Sequence, residues 1–287
     1  MPICVMLANI GILGELPHDL GDSARITILL ASFVQHTDAQ DLRRAMMLHI
    51  NSATTPLTFA LGTSSDLSRA TFEVLLERGT TQKLEVSESS VISNDFAVTA
   101  RLLSILDFTP ARLLYPFTRW QTSEYGSSQA REELSQIVSA DIVRSRYCML
   151  HAAQLFQFFR TVNTLQHTDV VSFLVCTLYL HLCTELVIRR TMDAALEGTA
   201  SNGPTIIRLD KVAHQSLIND WLSLRIDPSV HITGVGILNS DRSTARLYKE
   251  SARVLGKSAS KSNFAAALQK MMESQAAGDV PVFEEKQ

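Results

Sequence analysis

The chain has 287 residues, enough for one large domain or two small ones. Hydrophobic residues make up 46% and charged residues only 19%, so much of the chain must be buried around a sizeable core. The formal net charge is -3 and the pI about 6.2; a free-standing nucleic-acid binder normally carries a basic face, and this balance argues against one.

The start of the chain, Met1 to Leu7, is apolar but lacks a basic n-region, and Gly11, Gly14 and Pro17 break it early, so it does not read as a signal peptide. Helical periodicity then dominates. Ile26, Leu29, Leu30 and Phe33 share one face over 24–33, and Leu42, Ala45, Met46 and Ile50 do so over 41–50. A short helix over 68–77 follows, with Ser64, Ser65 and Asp66 as capping residues and Phe72, Leu75 and Leu76 on one side. Helices over 95–106 and 110–117 are separated at Pro110. Residues 118–128, with Gly126 and several serines, read as a loop.

The spacing predicts a long helix over 130–164, bent or split, and another over 168–196. Within the latter, Val170 to Thr184 has no formal charge. It is shorter than the roughly 20 apolar residues of a membrane span and contains Ser172, Thr177, His181 and Thr184, so it reads as a buried core helix. A turn cluster at 198–204 precedes a helix over 210–224, which Asp227-Pro228 stops. Thr205 to Arg208 and His231 to Leu238 read as too short or too glycine-rich to build a sheet. Two helices, over 246–255 and 263–272, close the chain before a frayed acidic tail at 276–287. The expectation is an all-α protein, a single compact multi-helix domain of about ten helices over 1–275 with a disordered acidic tail over 276–287.

Candidate chemistry is sparse. Cys4, Cys148, Cys176 and Cys183 lie mostly in apolar runs, as free thiols do in a reducing compartment, and there is no Cys-x2-Cys pair. Cys148 with His151, and Cys176 with Cys183, His181 and Glu185, have helix spacings that zinc could use. Yet Cys176 and His181 fall on different faces, and buried structural thiols account for the pattern. Asn219, Ser223 and Asp227 sit at i, i+4, i+8, so a helix would align three oxygen ligands, as in the second magnesium motif of helical terpene synthases. The final ligand would be Asp, Pro228 stands beside it, and no aspartate-rich partner motif is present; a capped, solvent-facing helix end is the plainer reading. Gly11-x-x-Gly14 and Gly234-x-Gly236 lack the third glycine of a dinucleotide loop and read as packing turns. Arg43 and Arg44 read as a solvated face. No catalytic, cofactor-binding or metal-binding residue is assigned.

Several segments together resemble a known family. Met6 to Leu13 looks like an opening helix of leucines around Asn and Gly. Asp41 to Leu48 is similar to an E-x-x-R-R helix, with Asp in place of Glu. Pro56, Leu57 and Phe59 sit where that family has a proline-bearing loop. Tyr147 to Leu155 resembles its central helix and Val170 to Leu182 the apolar helix after it. His231 to Met272 resembles the family's closing pattern, in which Ser258 to Ser260 stand where a tryptophan is often found. The family is the regulatory "middle homology" or xylanolytic-activator-type domain of fungal transcription factors, found beside C2H2 or Zn2Cys6 zinc fingers. The resemblance implies a non-enzymatic regulatory domain acting in the nucleus. Its implied partners are transcriptional machinery, regulatory proteins or a small-molecule effector, with no membrane. DNA binding and its zinc are implied only for a separate module that this sequence lacks, as a truncated gene product or a finger-less paralogue would. The alternative is a magnesium-dependent helical isoprenoid enzyme using Asn219, Ser223 and Asp227.

Overall fold

The computed structural model describes residues 21–49, 69–70, 72–82, 84, 94–187, 205–211, 215–226, 228–238, 240, 242–259 and 262–278, with side chains of the first helix described through Thr37. The expectations that fall on Met6 to Leu13, Arg43 and Arg44, Pro56 to Phe59, Ser64 to Asp66, Cys4, Asp227 and the acidic tail beyond Gly278 lie outside that set. The described chain is mainly helical, as its periodicity predicts. It divides into two compact units, Met1–Asp107 and Phe108–Gln287, where the sequence suggests one domain.

In the first unit, α1 (Asp22–His49) is continuous through the stretch where the sequence suggests two helices. Nothing between Phe33 and Asp41 is a glycine or proline, so no residue there forces a stop. Helix α2 spans 72–81, and α3 is Asp95–Phe108. Ile28 and Leu29 of α1, Phe72 and Leu75 of α2, and Phe96, Ala100 and Leu103 of α3 form the core. Helices α2 and α3 cross closely at Gly79, where any side chain would collide with Ala100 Cβ. The Arg101 guanidinium is buried and closes the end of α2. It donates to the carbonyls of Gly79 (3.2 Å), Thr80 (2.8 Å) and Gln82 (2.7 Å), and to Ala97 O of its own helix (3.1 Å). Those carbonyls have no partners within α2, and a buried charge needs acceptors, so each side resolves the other's cost. Burial lowers the guanidinium pKa to about 10, which leaves it charged at neutral pH.

The second unit holds α4 (Ala111–Phe117), α5 (Glu124–Ala140), α6 (Ile142–Thr161) and α7 (His167–Leu182), the last running into a π-helical turn, Cys183–Val187. It continues with α8 (Gln215–Leu222), α9 (Ser243–Ala259) and α10 (Asn263–Ala277). The predicted loop at 118–128 is shorter than expected. Ser123 caps α5 by accepting the Gly126 N–H at 3.1 Å, so Gly126 lies in the first helical turn. Asp141, with φ -144° and ψ 82°, leaves the helical region and caps α6 through the Arg144 N–H at 2.9 Å, which splits the long predicted helix. Gly278 ends α10 in the left-handed region.

Within this mainly helical fold, residues 205–208 and 231–238 do form a small sheet, contrary to the expectation that they are too short or too glycine-rich. β1 (Ile206–Arg208) pairs in parallel with β2 (Ser229–Ile232), and β2 pairs antiparallel with β3 (Gly236–Ile237). Three-residue runs carry too little periodicity to announce a strand. What fixes them is tertiary: Ile207, Val230 and Ile232 are fully or nearly buried on one face. The β2–β3 turn passes through Gly234 at φ 90°, a conformation that side chains with a Cβ rarely adopt.

Candidate functional site

Helix α7 runs through the middle of the second unit. Most of the apolar stretch His167–Leu186 is buried, 78% of its most apolar 18 residues, in keeping with a core helix. Its polar side chains are not scattered. Thr177, His181 and Thr184, at i, i+4, i+7, meet Ser251, Tyr248 and Thr244 of α9. The Thr177 and Ser251 hydroxyls lie 3.3 Å apart, His181 Nδ1 is 2.6 Å from the Tyr248 hydroxyl, and the Thr184 and Thr244 hydroxyls are 3.3 Å apart. As one sequence rises the other falls, so the helices run antiparallel along a buried polar ladder. On another side of α7, the Tyr179 hydroxyl donates to Ser145 O of α6 at 3.0 Å.

The ladder reaches the surface at the π-helical turn. Glu185 pairs with Arg131 of α5 at 3.2 Å, and the Arg131 guanidinium lies 5.2 Å over the Phe117 ring. That ring packs against His181 at 5.1 Å. A π turn inserts one residue into the helical ladder and re-aims the side chains after it, a feature frequent at functional sites. Burial lowers the His181 pKa to about 4, with Glu185 opposing and Arg131 adding to the fall, so the imidazole is neutral at pH 7. Burial, and then the Glu185 charge, push the Tyr248 hydroxyl far up. A neutral imidazole hydrogen-bonded to a protonated phenol ties α7 to α9 within the core.

The thiols behave likewise. Cys148, Cys176 and Cys183 are buried and unlinked. Cys176 donates to Phe173 O at 3.1 Å, and burial raises the pKa of both Cys176 and Cys183, so the thiolate that a metal or electrophile would need is disfavoured. His181 faces Tyr248, Glu185 faces Arg131, and no group of three His, Cys, Asp or Glu among the described residues is placed to hold a metal ion. Cys148, Cys176 and Cys183 occupy core positions, and His151 and Glu185 are partly exposed.

Among the described residues, Asn219 and Ser223 face no acidic cluster. Both are exposed. Asn219 Oδ1 accepts from Gln215 Nε2 at 3.1 Å, and the Ser223 hydroxyl donates back to Asn219 O at 2.9 Å, so their polar atoms serve their own helix end. Gly234 and Gly236 are packing turns: a Cβ at Gly234 would fall 2.6 Å from the Arg160 guanidinium, and one at Gly236 would fall 3.2 Å from that of Arg246.

Arg160, at the end of α6, also anchors α9. Its Nε lies 2.5 Å from Glu250 Oε1, and Arg253 holds both oxygens of the same carboxylate at 2.7 and 2.9 Å. Burial raises the Glu250 pKa, but the Arg253 and Arg160 hydrogen bonds outweigh it and leave a net fall. Lys257 Nζ donates to Arg160 O (2.6 Å) and Val162 O (2.9 Å), capping α6 with a cation at its negative end. Sequence reasoning missed the ladder and this clamp. Half of the ladder was visible as Thr177, His181 and Thr184 at helical spacing inside an apolar run; its partners on α9 become meaningful only once the two helices are paired.

In comparisons with known proteins, the chain is similar to a protein of the fungus Gibberella fujikuroi named "Transcription factor", with 24% identity over 199 residues. The match covers 69% of this chain and 26% of that protein, so the chain spans about a quarter of the relative's length. No family profile matches, and no solved structure matches.

Proposed function

We propose that this chain is a regulatory, non-catalytic part of a fungal transcription factor, of the middle-homology type, working in the nucleus. It acts through contacts with transcriptional machinery or regulatory proteins, or through a small-molecule effector. The similarity to the Gibberella fujikuroi protein carries this reading. The described side chains support it: thiols protonated by burial, His181 neutral and engaged, and Asn219 and Ser223 spent on their own helix end. Sequence-specific DNA reading and its zinc belong, on this reading, to a separate module.

The test is a fusion of residues 1–287 to a foreign DNA-binding domain, assayed on a reporter carrying that domain's site. A several-fold rise or fall in reporter output over the DNA-binding domain alone is expected. Unchanged output from a fusion shown to be folded and nuclear overturns the proposal.

A further inference from the structure

Helix α9 has two chemically opposite faces. Leu247, Tyr248, Ser251, Ala252, Val254 and Leu255 turn inward and are buried. Arg242, Arg246, Lys249 and Arg253 are exposed, and Lys257 is half-buried. At helical spacing these five cations fall within a sector of about 80° and form a stripe about 22 Å long. The stripe extends onto the small sheet. Exposed Arg208 is in register with His231 on β2. Burial, Arg208 and Arg246 all lower the His231 pKa, with Asp210 opposing, which places both guanidinium groups in the field of one imidazole.

Few anions answer these charges. Among the described residues of this face the acids are Asp210 and Glu250. Asp210 accepts the Thr233 N–H at 3.1 Å, and Glu250 is shared between Arg160 and Arg253. A chain of net charge -3 has thus gathered six cations, Arg208, Arg242 just before α9 and the four of α9, on one side. None of the exposed large apolar side chains among the described residues lies on α9; Ile206, beside Arg208 on β1, is at the margin. That composition decides between two kinds of polyanion. An acidic protein segment needs apolar anchors at the centre of its contact. A phosphate backbone needs only charge, and a duplex offers one anion per ~1.7 Å of its axis along the whole stripe. Arginine, the commoner cation here, also matches phosphate geometry with two parallel N–H donors.

We propose that the cationic face of α9, with Arg208 beside it, is a contact surface for the phosphate backbone of duplex nucleic acid, made without sequence readout. Such a contact would hold the chain against DNA that another module has read. It does not depend on the regulatory reading: reporter output and duplex binding can fail separately.

The experiment is fluorescence anisotropy of the full chain with a labelled random-sequence duplex of about 20 base pairs, two helical turns. Salt is raised from about 50 to about 200 mM. With Arg253 held by Glu250 and Lys257 by the α6 carbonyls, four phosphate contacts remain and predict a slope of log affinity against log salt of about -3 to -4. Lys249→Glu and Arg242→Glu should each weaken binding about tenfold and reduce the slope by about 1 or more. Arg225→Glu, the same charge reversal away from the stripe, should leave both unchanged, with circular dichroism confirming that all three variants fold. Absence of binding at the lowest salt, or equal weakening by all three reversals, overturns the proposal. So does a polyglutamate peptide that binds the stripe more tightly than the duplex, which would reassign it to an acidic protein.

Discussion

Acid should destabilise the second unit through His181. Its folded pKa is about 4, against an ordinary value near 6.5, because burial excludes the water that would solvate the imidazolium. The unfolded chain therefore binds the proton more readily. The stability that this group contributes is fully present above about pH 6.5 and is lost as pH falls towards about 4. A difference of roughly 2.5 units at 1.36 kcal/mol per unit gives about 3 kcal/mol. The proper reference is His181→Gln, whose amide can still accept from the Tyr248 hydroxyl but does not titrate. Glu185 and Arg131, the charged groups facing His181, are unchanged in that variant, so their own titration cancels in the difference. Urea unfolding followed by tryptophan fluorescence is suitable, since both tryptophans, Trp120 and Trp221, lie in the second unit. At pH 7 the variant should be less stable than the wild type, having lost the ring contact with Phe117. By pH 4 the gap should close or reverse. Parallel loss of stability by the two proteins across this range would refute the argument and mean that His181 is solvated or charge-paired in the folded state.

Three further substitutions probe the backbone and the clamps. Arg101→Met should cost about 3 kcal/mol, because it leaves the α2 carbonyls unpaired in a buried setting; hydrogen exchange should show the loss concentrated at 72–82. Gly234→Ala should cost about 2 kcal/mol or more from a left-handed backbone and displacement of Arg160, read as a lowered Tm. Leu224 has φ 59° and closes α8 in a Schellman arrangement, with the Leu224 N–H on Trp221 O and the Arg225 N–H on Asp220 O. Since its side chain is substantially exposed, Leu224→Gly should range from neutral to about 1 kcal/mol stabilising in chemical denaturation. A loss above about 1 kcal/mol would show that the leucine contributes packing that its exposure does not suggest.

Helix positions were legible because periodicity and caps are local. Pro110 marks the start of α4, Asp141 and Ser262 cap their helices with their own side chains, and Gly278 ends the last one. The sheet was not legible, because its strands are two to four residues long and β1 depends on a partner more than twenty residues away. The division into two units leaves no glycine- or proline-rich linker to read; it falls at Asp107 and Phe108, at the end of α3. The zinc-like and magnesium-like spacings show where periodicity stops being informative. Periodicity shows which residues share a helix face, but not whether that face meets a cavity or a wall of leucine and phenylalanine. Net charge has a related limit, since a sum over the chain is silent about segregation, and α9 concentrates cations that the total conceals.

The polar ladder and the cationic stripe have a common basis in α9. Thr244, Tyr248 and Ser251 lie about 180° around the helix from the centre of the Arg242–Lys257 stripe. A slip of α9 along α7 by one turn would part Tyr248 from His181 and leave each against a shorter Thr or Ser hydroxyl, and each buried group left unpaired would cost about 1–3 kcal/mol. Apolar helix faces alone tolerate such slips far better, because one leucine can replace another at small cost. The buried pairs therefore fix both the register and the rotation of α9. Glu250, at the edge of the stripe, adds a second constraint by tying α9 to Arg160 of α6. A helix fixed in this way on its inner side presents its outer charges at set positions, and an array at set positions binds a polyanion with less loss of side-chain and helix freedom than a mobile one. The inner pairs that hold α9 in place thereby also set where its outer cations stand.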